Sequence, residues 1–175
     1  MEVVVCPLRS LQSVIAAHRA SHLVSLLSEP EMIATPDPIR ADHHLRLAVN
    51  DIVEPAENLI APNIGHARRL IDFAAGWDRA APMVVHCYAG ISRSTAAALI
   101  ILAAMARHGE EKAIAEAMRA ASPHASPNRL LVAHGDRALG RSGRLVRAVD
   151  AMVTPALAAE ASVFSLSLPA IGPAP

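Results

Sequence analysis

The stretch Val84-Val85-His86-Cys87-Tyr88-Ala89-Gly90-Ile91-Ser92-Arg93-Ser94-Thr95 constrains this chain more than any other. A short β-branched run leads into a cysteine. Five residues follow, then an arginine with a hydroxyl residue after it, and then an apolar helix-forming run from Ala96 to Ala106. That order reads as a buried strand, a tight loop and a helix start.

A loop that curls ahead of a helix turns several backbone N–H groups toward one centre, and the helix dipole adds partial positive charge there. The group that fits is an anion, and phosphate suits it best. Tyr88, Ala89, Gly90, Ile91 and Ser92 supply the amides, and Gly90 sits where the loop needs a positive φ or a close backbone approach. Arg93 carries a planar fork able to grip two phosphate oxygens. Cys87 lies at the floor, where the same amides and guanidinium favour the thiolate and make it a nucleophile. Each residue alone has a plainer reading, as a buried small hydrophobe, a filler histidine or a surface charge. Their common spacing between strand and helix is what favours the phosphate loop.

His-Cys-x-x-Gly-x-x-Arg-Ser/Thr resembles the signature of the cysteine-dependent protein tyrosine phosphatases. The order of Leu45–Asp51, a helical stretch near Ile64–Ala75 and the signature strand is similar to their dual-specificity branch, over roughly residues 20 to 140. The resemblance implies that Cys87 attacks phosphorus to form a cysteinyl-phosphate, and that Arg93 holds the phosphate and the transition state. It also implies that Ser94 hydrogen-bonds the departing sulfur and that Asp51 protonates the leaving oxygen and then activates water. Asp42, Glu54 and Glu57 lie near Asp51, and position in the family pattern favours Asp51. His86 and Asn50 are supporting residues, Asn50 by orienting Asp51. Asn128 matches an asparagine that the family often carries after a proline and is given a structural role. No cofactor and no metal is expected. The adjacent His43 and His44 invite a metal reading, but strand neighbours point to opposite faces.

The remaining inferences come from composition and order. The chain has 175 residues, enough for one domain, and its 16 basic and 16 acidic residues cancel. No global field therefore recruits nucleic acid or an anionic membrane. Arg137, Arg141, Arg144 and Arg147 recur at near-helical spacing, but Asp136, Asp150 and Glu160 lie among them and aromatic residues are only 2% of the chain. They read as a solvated face, with no nucleic-acid partner. With Cys6 and Cys87 its only cysteines, the chain reads as cytoplasmic, and it opens without a signal-peptide pattern. Its Ala, Arg and His bias points to a GC-rich bacterial genome. The apolar run ending at Ala106 is too short to span a bilayer.

Strands are expected at 3–6, 22–27, 43–49 and 83–86, with helices at 8–20, 64–75, 96–106, 110–121 and from about 126 to 139. The expected fold is α/β: one domain over residues 1–153 with a small, mostly parallel four-stranded sheet flanked by helices. A tail over 154–175 is expected to be partly helical or loosely held. The function expected is hydrolysis of phosphate monoesters, on a phosphotyrosine or dual-specificity protein substrate or a small phosphomonoester. A phosphate-binding module with little turnover, an inositol phosphatase and a sulfur-transfer or arsenate-reducing enzyme are the alternatives. The uncharged loop residues speak against a highly anionic headgroup. The sequence leaves the oligomeric state open. A reversible Cys6–Cys87 disulfide is a further conjecture, which needs the two strands to be neighbours and the sulfurs to meet.

Overall fold

Runs such as Val3-Val4-Val5 and Leu26-Leu27 place apolar groups on both sides of a strand, which only a sheet covered on both faces can bury. In the computed structural model, which describes residues 1–167, that sheet is built from β1 (Val3–Pro7), β2 (His22–Leu27), β3 (His44–Ala48), β4 (Met83–Cys87) and β5 (Phe164–Leu166). The strand order is β3-β2-β4-β1-β5, and the first four strands run parallel. Six helices complete the α/β domain: α1 (Leu11–His18), α2 (Ile64–Gly76), α3 (Arg93–Met105), α4 (Glu111–Ala121), α5 (Arg129–Ala138) and α6 (Arg144–Asp150).

The sheet has five strands and is mixed, where the sequence predicts four. β5 pairs antiparallel with β1, Val5 opposite Phe164 and Val3 opposite Leu166. Phe164 and Leu166 turn inward around an exposed Ser165, and so cover what would otherwise be an open, apolar edge of β1. Three residues of alternation within a Pro-, Ala- and Ser-rich segment are too short a signal to register as a strand. This strand comes from the stretch read as tail; residues 168–175 of that stretch lie outside the described residues.

β4 occupies the middle of the parallel strands, and its last residue, Cys87, lies at their C-terminal edge. In open α/β sheets ligands bind beyond that edge. α3 follows six residues later and is the most deeply buried helix, with every residue from Arg93 to Ala103 buried. Its run of Ala96, Ala97 and Ala98 keeps it slim where it leaves the loop. Farther along, α5 crosses it closely at Gly135, where a Cβ would stand 2.4 Å from Ile100 Cγ1. No helix of the described residues is long and apolar enough to cross a membrane.

The two sheet faces have separate cores. Cys87, Val85, Leu26 and α3 belong to the larger one, whereas Cys6, Val84, Leu23 and α1 form the smaller. Cys6 is the register partner of His86, and Pro7 that of Cys87. The two sulfurs thus leave the sheet on opposite faces, and both thiols are free. Adjacent strands alone do not bring them together, so the geometry gives the conjectured disulfide no support.

In the arginine series one member departs from a solvated face. Arg137, in the last turn of α5, and Arg147 on α6 are exposed and Arg144 on α6 is half-buried, while Arg141, between the helices, is buried. Its guanidinium donates to the Ala103 and Ala106 carbonyls at the end of α3 and to Glu111 Oε1 at 3.1 Å. Arg144 Nε reaches the same carboxylate oxygen at 3.2 Å. These charges fasten the end of α3 to α4 and α6, with the helix carbonyls that a terminus leaves over as their acceptors.

Candidate active site

The loop between β4 and α3 is held by its carbonyls. Those of Tyr88 and Ala89 accept from the amides of Leu8 (3.0 Å) and Ala161 (2.9 Å), those of Ile91 and Ser92 from Ser126 (3.0 Å) and Asn128 (3.2 Å). Thr95 Oγ1 donates back to the Ile91 and Ser92 carbonyls at 2.6 and 2.9 Å. No amide of residues 88–93 donates to another protein group among the described residues. With these oxygens tied outward to three neighbouring segments, the N–H groups are left for the inside of the loop and the first turn of α3.

Gly90 shows why this loop needs a glycine. Its φ is +72°, and a Cβ there would lie 2.8 Å from Pro7 N and 3.0 Å from Cys6 C. Both reasons predicted from sequence hold at once, the left-handed backbone and the close approach to β1.

Cys87 sits at the floor of the loop, 2% exposed, with its Sγ 3.2 Å from Ser94 Oγ. Ser94 is on the first turn of α3, fully buried, so its hydroxyl has little else to meet. Arg93 is buried too, and its Nη1 donates to the Val49 carbonyl at 2.9 Å. Its Nε is buried without a hydrogen-bond partner, 3.9 Å from Asp51 Oδ2. A guanidinium anchored at one nitrogen and bare at another is ready for an anion. Tyr88, the residue after Cys87, is half exposed.

Asp51 follows β3 at the same edge of the sheet. Its Oδ1 accepts from Ser92 Oγ at 2.6 Å and from Asn128 Nδ2 at 2.9 Å, leaving Oδ2 on the side of Arg93. Asn128 also donates to the Ile52 carbonyl at 3.2 Å, and its own Oδ1 caps α5 by accepting from Leu131 N at 3.0 Å. The sequence, which gives Asn128 a structural role and starts the helix near 126, misses both that Asn128 is the cap of α5 and that it clamps Asp51. The Ser126-Pro127-Asn128 turn was the available signal, because a residue that opens a helix against a loop can serve both. Asn50 does not touch Asp51. Its side chain and its amide bond Ile60, both at 2.8 Å, and close the 50–60 loop at its base. Glu54 lies with Asp51, Ile52, Ser92, Asn128 and Arg129 on a cleft of about 490 Å³ beside the loop. Asp42 is tied to Arg40, whose Nη2 donates to it at 2.8 Å. Glu57 is exposed.

His86 points to the opposite sheet face from Cys87, toward Ser25. Burial pushes its imidazole down to about 4, against a smaller upward pull from the Cys87 backbone. His43 stacks on His22 with ring centroids 4.1 Å apart, and His44 bonds Ser25. Among the described residues no group of three or more His, Cys, Asp or Glu side chains is placed to hold a metal ion.

No family model matches the chain, and no curated protein matches it. Solved structures do. DUSP15 is 20% identical with a TM-score of 0.55, covering 85% of this chain and 91% of its own. PTPMT1 in complex with PI(5)P is 18% identical with a TM-score of 0.52, over 80% and 94%. The Yvh1 phosphatase domain from Chaetomium thermophilum is 20% identical with a TM-score of 0.54, over 82% and 93%. The chain shares the fold of these proteins.

Proposed function

We propose that the protein is a phosphate-monoester hydrolase of the cysteine-dependent tyrosine or dual-specificity phosphatase type. The observation that carries the reading is the convergence of Cys87, Arg93 and Asp51 on one loop, four of whose carbonyls are tied outward. Likeness of fold to phosphatases at this level of identity adds support without assigning the chemistry.

In this reading the phosphate lies in the loop, with its oxygens on the amides of residues 88–93 and on the free edge of Arg93. Cys87 Sγ attacks phosphorus in line, and the P–O bond to the leaving group breaks as the P–S bond forms. Asp51 delivers its proton to that oxygen through Oδ2, since Oδ1 is engaged by Ser92 and Asn128. Water then attacks the cysteinyl-phosphate with Asp51 as base, the P–S bond breaks, and the Ser94 hydroxyl, 3.2 Å away, donates to the departing thiolate. The substrate we favour is a phosphotyrosyl or phosphoseryl/threonyl protein. Apart from Arg93, residues 87–94 hold no cation to attract a polyphosphorylated headgroup.

Release of p-nitrophenol from p-nitrophenyl phosphate in the presence of a chelator tests this. Cys87→Ser should abolish turnover while still binding phosphate, and Asp51→Asn should lower kcat by about 10²- to 10⁴-fold. Activity that is lost to chelator and survives Cys87→Ser would refute the reading.

A further inference from the structure

The turn between α4 and α5 folds around one guanidinium. Arg119, in the last turn of α4, donates from Nη1 to the carbonyls of Ser122 (3.2 Å) and Pro123 (2.6 Å), and from Nη2 to that of Ala125 (2.7 Å). Its Nε is buried without a hydrogen-bond partner, so the hold is made by the two terminal nitrogens. From outside, the Ala156 amide donates to the Pro123 carbonyl at 2.9 Å. Ser126 and Pro127 border two cavities: the cleft of about 490 Å³ that includes Asp51 and Ser92, and a second of about 320 Å³ that reaches Arg119. A stretch between two cavities has fewer packing neighbours to fix it, so its hydrogen bonds decide where it sits.

This turn leads directly into the groups that meet the active site. The amides of Ser126 and Asn128 donate to the Ile91 and Ser92 carbonyls at 3.0 and 3.2 Å, and Asn128 Nδ2 donates to Asp51 Oδ1 at 2.9 Å. Loop and acid do not depend on it equally. Thr95 Oγ1 donates to the same two loop carbonyls, and Leu8 and Ala161 hold those of Tyr88 and Ala89. The loop therefore keeps anchors if the turn shifts. Asp51 Oδ1, among the described residues, is held by two donors, Ser92 Oγ and Asn128 Nδ2, and a shifted turn withdraws one of them.

We propose that Arg119 is a positioning residue for the general acid: by gathering the Ser122, Pro123 and Ala125 carbonyls it fixes the turn that carries Asn128, and through Asn128 it keeps Asp51 Oδ2 aimed at the leaving oxygen. The proposal rests on the phosphatase reading and deepens it. The hydrogen bonds of Arg119 go to the turn, not to Asp51 or the loop. Its influence therefore falls on the step in which a proton passes to the leaving group, and a leaving group that needs no proton should not register its loss.

Values of kcat/KM for the full chain on two esters test this, since they report the steps up to departure of the leaving group. Phenyl phosphate needs a proton on its leaving oxygen, whereas dinitrophenyl phosphate loses a stable phenolate without one. Arg119→Met should lower kcat/KM about three- to tenfold on phenyl phosphate, the range that one lost hydrogen bond spans, and less than about twofold on the dinitrophenyl ester. Arg119→Gln should show the same selectivity and carries the test if Arg119→Met fails to fold. Arg119→Lys, whose ammonium can still donate to carbonyls, should recover part of the loss. In an Asn128→Ala background Arg119→Met should change the phenyl phosphate value by less than about twofold, because the route to Asp51 is already cut. An equal loss on both esters, no loss in a folded Met or Gln variant, or full additivity with Asn128→Ala would overturn the proposal. Wild-type protein that hydrolyses neither ester would sink the phosphatase reading and this proposal with it, whereas wild-type turnover of both with unselective losses in the variants sinks the proposal alone.

Discussion

The two faces of the sheet bury their side chains by different means. On the α3 face, Cys87 borders a large core of Leu, Ile, Val and Ala, and α3 brings its N-terminus directly over the thiol. On the α1 face the core is smaller, and histidines and a serine run across three strands inside it. An apolar core on one side gives the loop a rigid base and excludes water from beneath the helix terminus, which strengthens the dipole and the amides there. The polar chain on the other side adds directionality, since hydrogen bonds fix orientation where apolar contacts do not. One face thus backs the loop with apolar packing, and the other ties β2, β3 and β4 to one another by hydrogen bonds.

The sharpest way to break this comparison is to exchange the roles of the two cysteines. Cys87→Ser should remove turnover completely, whereas Cys6→Ala should leave kcat unchanged and cost about 1 kcal/mol of stability. Alkylation at pH 7 mapped by mass should find Cys87 only, because burial pushes the Cys6 thiol up to about 12. Labelling of Cys6 at a comparable rate would show that the α1 face is open to solvent.

Next in size is the packing on the α3 face. Ile100→Ala should destabilise the fold by about 2–5 kcal/mol in denaturant melts. Gly135→Ala should cost about 1–3 kcal/mol, because its Cβ would enter the space of Ile100 Cγ1 at 2.4 Å. Together they should cost less than the sum by about 0.5–3 kcal/mol, since removing Ile100 clears room for the new methyl. Strict additivity would mean that α5 moves away from α3 instead of pressing on it.

Much of the α3 face was legible in the sequence, and much of the α1 chain was not, for a physical reason. Cys87, Gly90, Arg93 and Ser94 lie within eight residues, so one loop determines their relation and spacing carries it. The β-α alternation and the long apolar run after Thr95 were likewise local. Asn128 meets Asp51 across 77 positions, and Ser25 meets His86 across 61, so only strand order and helix crossing bring them together. Ser25 reads as an unremarkable break in an apolar strand until the strands on both sides are known. Asn50 misled in the opposite way: adjacency to Asp51 in sequence suggested contact, but neighbours after a strand diverge, and its side chain turned to Ile60. β5 was missed because antiparallel pairing of a late segment with the first strand leaves three residues of pattern and no more.

The smallest effect expected sharpens the comparison through pH. His44 and His86 are both pushed from 6.5 down to about 4, mainly by burial. Unfolded, they take up protons as pH falls through about 6.5; folded, they resist until about 4. The unfolded state therefore binds more protons in that window, and stability must fall as pH drops, with the full value kept above 6.5. Each group contributes a slope of at most about 1.4 kcal/mol per pH unit. Denaturant melts at pH 7, 6 and 5 should show the decline, and His44→Leu, although weaker at pH 7 through its broken hydrogen bonds, should show a shallower one. An equal slope in the variant would mean that His44 titrates alike folded and unfolded, and that the α1 face is wet where its polar chain requires it to be dry.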